Sequence, residues 1–290
     1  MSSLYEKITY VFDPLHHRWE HEKMHRKISI ILVLFFLLSL ICIELNRRHL
    51  LPGSLESFVP GNHFFAVQAA FTVVLILEVI SLVFTIPCSF SRSVGKQFEI
   101  LSLILMRNAF KELATFPEPI SFAGNEQAVL HILSDGFGAL LIFASLGYYY
   151  IIQARTSDEK MQSTDLYSFV AAKKGIALIL LAVFAGMGLH SVVATVTNTP
   201  TTAPDTDFLH GFYTLLILTD ILIVLISQCF QPSFYAVFRN SGYALSTLII
   251  RLALAAPPFY NVLLGFAAAL FAISLTYVSR TLFAKKTATK

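Results

Sequence analysis

Apolar runs long enough to cross a bilayer recur from end to end of this chain, and nothing constrains its fold more. A helix needs about 20 residues to cross about 30 Å of hydrocarbon. Within lipid only helices and closed barrels keep every backbone group hydrogen-bonded. Spans are predicted at about 28–46, 63–88, 97–116, 128–153, 175–197, 208–230, 236–256 and 259–281. Of 290 residues, 56% are hydrophobic and 13% charged, the latter about half the usual soluble share. Mean hydropathy is +0.68. The expected class is an all-α integral membrane protein of eight transmembrane helices. No cleavable signal peptide is expected, since the first run begins near residue 28 without a small-residue cleavage site. Cys42, Cys88 and Cys229 form no CxxC and suggest no disulfide framework.

The second half of the chain repeats the first. Gly136-Phe137, Ala139, Leu141, Ser145-Leu146 and Tyr148 recur with the same spacing as Gly265-Phe266, Ala268, Leu270, Ser274-Leu275 and Tyr277. Leu101-Ser102 and Arg107 recur as Leu245-Ser246 and Arg251, and Leu75-Ile76-Leu77 with Cys88 as Leu216-Ile217-Leu218 with Cys229. Arg26-Lys27 before the first span matches Lys173-Lys174 before the fifth. Matches in one order argue for duplication of a four-helix unit. The expected organisation is a cytoplasmic amphipathic segment (1–27), a first repeat (28–155), a cytoplasmic linker (156–174) and a second repeat (175–284).

Basic residues set the orientation. With the N-terminus inside, cytoplasmic segments hold Lys7, Arg18, Lys23, Arg26, Lys27, Arg92, Lys96, Arg155, Lys160, Lys173, Lys174, Arg239, Arg280, Lys285, Lys286 and Lys290. The outer loops hold Arg47 and Arg48. Both termini are then cytoplasmic in a plasma or inner membrane. The two copies share one orientation, so the repeats are parallel. Pro117 and Pro119 close the third span, and Pro257 and Pro258 the seventh.

Ionisable residues inside spans mark the candidate sites. Glu78 and Arg107 flank the predicted loop near 89–96 and are expected to pair at one depth. Asp220 and Arg251 hold comparable places in the second copy, with Asp220 one residue later than the register of Glu78. Such pairs either fix each hairpin or line a cation or proton pathway. A second polar group comprises His131, Asp135, His190 and His210 in the outer half, near Glu44, Asp205 and Asp207. Converging imidazoles and carboxylates can bind a divalent metal or relay protons, whereas a lone membrane histidine more often packs through a hydrogen bond.

Glu78, the segment SFSRSVGKQ, and then Phe98-Glu99 opening the next helix resemble the voltage-sensor domains of cation channels. That resemblance is distant. It implies a four-helix bundle with a tight second-to-third hairpin, and adds Glu99 to the candidate ion-pathway residues. The fourth helix, QAVLHILSDGFGALLIFASLGYYYIIQ, lacks the regularly spaced arginines that respond to voltage, and Tyr243 stands near the place of Glu99 in the second copy.

His21-Glu22-Lys23-Met24-His25 fits HExxH, the zinc-protease pattern in which two histidines ligate and the glutamate is general base, with Asp135-Gly136 as a distant third ligand. Lys23 inside the motif and its place before the first span favour instead an interfacial helix with Tyr5 and Trp19 at headgroup depth. A P-loop, GxSxG or Rossmann motif is absent, as is a basic aromatic surface for nucleic acid. The expected function is therefore non-enzymatic movement of a cation or proton, without a cofactor. A non-conducting membrane subunit or scaffold is the alternative, and a metalloprotease the third reading. The expected partners are the lipid bilayer, cations or protons, and a second copy or another membrane subunit.

Overall fold

The computed structural model describes residues 2–50, 61–118, 120–153, 163–196 and 204–283. The side chains of 2–4, 163–165, 192, 194–196, 204–210 and 282–283 are not among those described. The described residues contain helices and no strands. In chain order the α-helices are α1 (Ser2–Glu20), α2 (Glu22–Arg47), α3 (Phe64–Thr85), α4 (Phe90–Lys111), α5 (Glu126–Gln153), α6 (Ser163–Val196), α7 (Pro204–Phe230), α8 (Phe234–Ala255) and α9 (Tyr260–Val278). Six of them (α2, α3, α5, α6, α7 and α9) carry stretches long and apolar enough to cross a membrane. The chain is a multi-pass membrane protein.

Helices α4 and α8 are as long as a span, 22 residues each, but more polar. Their place explains this. Helix α4 packs against α3, α5, α8 and α9, and α8 against α4, α7 and α9. A helix wrapped by others can carry charge that lipid would reject. The polar groups of α8 find partners accordingly: Ser246 Oγ donates to the Ala268 carbonyl (3.2 Å), and Tyr243 and Thr276 hydroxyls lie 3.0 Å apart.

Both inner helices open on a serine cap. Ser89 Oγ accepts from the Arg92 backbone N–H (3.4 Å), and Ser233 Oγ accepts from that of Ala236 (3.3 Å). The segment expected as a loop near 89–96 is therefore the first two turns of α4. Likewise α6 begins at Ser163, so Lys173 and Lys174 lie on a helix and not in a linker. Helix α4 runs on into a 3-10 turn, Glu112–Thr115, and proline ends that turn and α8, because Phe116 and Ala256, each preceding a proline, are extended. Pro119 lies outside the described residues.

Two apolar cores stack side by side. One joins α1, α3, α6 and α7 around Phe12, Leu75, Val79, Phe184 and Phe212; the other joins α4, α5, α8 and α9 around Leu101, Ile142, Tyr149, Ala268 and Ala272. Helices α5 and α9 run in the same direction, since Gly138 lies against Val262 and Ile142 against Gly265. Small residues at this crossing let the backbones approach closely. A Cβ on Gly138 would overlap Val262, and one on Gly265 would come within 2.8 Å of Ile142.

Helix α1, expected at headgroup depth, packs against α6. Its Phe12 is buried, its Trp19 Nε1 donates to Ser81 Oγ (3.0 Å), and Lys174 of α6 bonds Asp13 at 2.6 Å. By contrast, only 6% of the most apolar stretch of α2 is buried within the protein.

Gly138→Leu should lower the midpoint of thermal unfolding in detergent by an amount corresponding to about 1–3 kcal/mol of overpacking. Gly136→Leu, two residues away and facing open space, should leave it within error. Equal effects at the two positions would show that the α5–α9 crossing does not limit stability.

Candidate functional site

Glu78, Arg107, Asp220 and Arg251 stand on α3, α4, α7 and α8 respectively. In the second copy the expected ion pair forms. Arg251 Nε and Nη2 lie 2.9 and 2.8 Å from the same Asp220 oxygen, Oδ2, which also accepts from Thr247 Oγ1 at 3.1 Å. Arg251 is 2% exposed, and its Nη1 has no partner. Thr247 and Arg251 stand one turn apart on α8, so one helix face supplies both donors.

In the first copy the expected contact does not form. Glu78 and Arg107 interact electrostatically, but no nitrogen–oxygen distance falls within 4 Å. Glu78 Oε2 and Arg107 Nε are buried without a partner, and Arg107 Nη2 donates to its neighbour Asn108 (3.0 Å). The cause is the acid's place near the end of α3, since each arginine stands seventeen residues into its helix. Glu78 stands seven residues before the end of α3, and Arg107 seventeen after the start of α4. At 1.5 Å per residue, that offset is about 15 Å along the axis. In the second hairpin the corresponding positions are ten before and seventeen after, an offset of about 10 Å that a guanidinium arm can bridge.

Two residues absent from the expected set complete the region. Tyr213 of α7 is buried and lies within electrostatic reach of Glu78, Arg107 and Arg251. Lys173 of α6 is 3% exposed and donates to the Cys88 carbonyl at 2.7 Å. A cavity of about 20 Å³ separates Lys173 from Asp220, bordered also by Thr247, Ser93 and Cys88. That is room for about one water.

Glu99 is held apart from this line. It accepts from Tyr150 Oη (2.6 Å) and Lys96 Nζ (2.7 Å) at the start of α4. In the outer group, Asp135 lies within electrostatic reach of His131 and Glu112. Asp135, 2% exposed, accepts from Asn261 Nδ2 at 2.8 Å. His131 stacks edge-on against Phe259 and lies 3.7 Å from Glu112. His190 is exposed, and the side chain of His210, with Asp205 and Asp207, lies outside the described residues. Glu44 instead meets His63 Nε2 at 3.4 Å, while His63 Nδ1 lies 3.1 Å from Glu118. The His63 hydrogen bond is the main cause holding the Glu118 carboxyl below its usual range.

The HExxH segment is broken at its first residue. His21 caps α2, with Nδ1 accepting from the Lys23 backbone N–H (3.2 Å), and its ring packs against His17. His25 packs against Trp19 instead. The described residues contain no group of three histidine, cysteine or acidic side chains placed to hold a metal.

No family model, curated protein or solved structure matches this chain.

Asp220→Leu should destabilise the folded protein by about 3–5 kcal/mol, because it strands the buried Arg251. Glu78→Gln, at a carboxylate with no direct ion pair, should shift the unfolding midpoint far less. Thermal melts of purified protein would distinguish them, and a larger loss at Glu78 would overturn the assigned difference.

Proposed function

We propose that this chain moves a cation or proton across a plasma or inner membrane, through a bundle of eight spans built from two parallel four-helix copies. Helices α2–α5 form the first copy and α6–α9 the second. The duplication is supported by inner helices of equal length, each with a serine cap and an arginine seventeen residues in, and by the parallel course of α5 and α9. Lys173 lies over the rings of both Phe90 and Phe169, and Phe169 packs at a tilt against Phe230. The α3–α4 and α7–α8 turns thus share one end of the bundle, which the distribution of basic residues assigns to the cytoplasm.

The observation that carries the reading is a line of ionisable groups, of which Arg251 and Tyr213 are buried and Asp220, Arg107 and Glu78 half-buried. It begins at a water-sized cavity beside Asp220 and continues past Arg251 and Tyr213 to Arg107 and Glu78. Acids within hydrocarbon are costly unless a counter-charge or a transported ion offsets them. Arg251 offsets Asp220, whereas Glu78 has an oxygen free to receive a proton or ligate a cation. Without arginines along α5, membrane potential acts on the ion rather than on a sensor.

A non-conducting subunit is the second reading, favoured by the long lipid-facing surface of α2. The deciding measurement is cation and proton flux into proteoliposomes, with and without an imposed potential. Wild-type protein should give flux above empty liposomes, and Glu78→Gln with Asp220→Asn should abolish it at unchanged yield. Undiminished flux in the double variant would remove the two acids from the mechanism, and no flux under any gradient would favour the subunit.

A further inference from the structure

Lys173 has the surroundings of a bound cation. Its ammonium is almost fully buried, yet no carboxylate among the described residues comes within ion-pair distance. It is held by the Cys88 carbonyl at 2.7 Å and by the faces of Phe90 and Phe169, whose centroids lie at 4.7 and 4.8 Å. A carbonyl oxygen and aromatic faces are ligands that a monovalent cation or an ammonium accepts. The cavity on its far side leads directly to Asp220 and Thr247.

We propose that the Lys173 ammonium is a tethered cation occupying a monovalent-cation site at the inner mouth of the bundle, where it excludes free cations from Asp220. A second positive charge entering the same cavity meets like-charge repulsion that the low dielectric does little to screen. The three groups around the ammonium come from the α3–α4 turn, the first residue of α4 and the first half of α6. The side chain therefore also bolts the first copy to the second. Removing the ammonium vacates a site of the right chemistry for a small monovalent cation or methylammonium.

The assignment rests on the transport reading for its effect on flux, but not for occupancy of the site, so two measurements separate them. With Cys42→Ser and Cys229→Ser, Cys88 is the remaining thiol and borders the cavity. Its modification by a trimethylammonium methanethiosulfonate should quicken several-fold in Lys173→Met, stay slow in Lys173→Arg, and slow again in Lys173→Met when methylammonium is added. Lys173→Gln, which keeps most of the stem, carries the same test if the methionine variant is not monodisperse. Equal rates in all forms, or no effect of methylammonium, would overturn the proposal. Rubidium flux in liposomes should rise in Lys173→Met and fall again on adding Asp220→Asn. Faster labelling without flux in any form would uphold the tethered cation and defeat the transport reading. Flux with labelling indifferent to Lys173 would do the reverse.

Discussion

Two arginines sit in the interior of a membrane protein, and the arrangement of the other helices follows from keeping them there. Arg107 and Arg251 lie on α4 and α8, which are too polar to face lipid along their length. Each is enclosed by three or four neighbours. The more apolar helices take the outer positions, and α2, the most apolar, takes the most exposed of them. This inverts the arrangement of a soluble protein, where the polar faces turn outward. The inner helices also lie against each other, so whatever the arginines do is done at the junction of the two halves.

That junction is asymmetric. Asp220 meets Arg251 directly because α7 and α8 place them about one turn closer in depth than α3 and α4 place Glu78 and Arg107. A shift of a few residues in where a helix ends decides whether a carboxylate is satisfied or left with an open oxygen. Tyr213 lies within electrostatic reach of both sets and belongs to the second copy alone, since its sequence equivalent is not a tyrosine. On the duplication reading, the two copies carry one saturated and one unsaturated version of the same charge pair.

Much of this was legible in the sequence. The apolar runs marked six helices, though α6 begins twelve residues before its expected start, and proline marked the end of α8 and of the 3-10 turn after α4. The arginines at matching register pointed to the inner helices. What sequence missed was where those helices begin. Serines and glycine near 89–96 suggest a loop, yet Ser89 acts as a cap, and Val94 and Gly95 lie on the covered face of α4 while Arg92 and Lys96 are exposed. The same misjudgement hid Lys173. Counted as a loop charge beside Lys174, it lies a few turns into α6, where one lysine turns inward and its neighbour bonds Asp13 on α1. HExxH failed for the converse reason, since the match assumed a continuous helix and the chain breaks at His21. The Asp135 partner, Asn261, lies 126 positions away, a pairing that only the α5–α9 crossing creates.

The asymmetry also indicates how the two acids divide their roles on the transport reading. A carboxylate held by both an arginine and a threonine exchanges its ligands slowly, so Asp220 acts best as a fixed anchor beside the cavity. Such a pair adds little stability by itself, because the desolvation of both ions offsets their attraction. Its value lies in fixing the register of α7 against α8. Glu78 has no such bond to break, and Arg107 lies near enough to influence it without capturing it. A group that must accept and release an ion needs that weaker hold. Transport through this bundle would therefore be limited at Glu78 and oriented at Asp220.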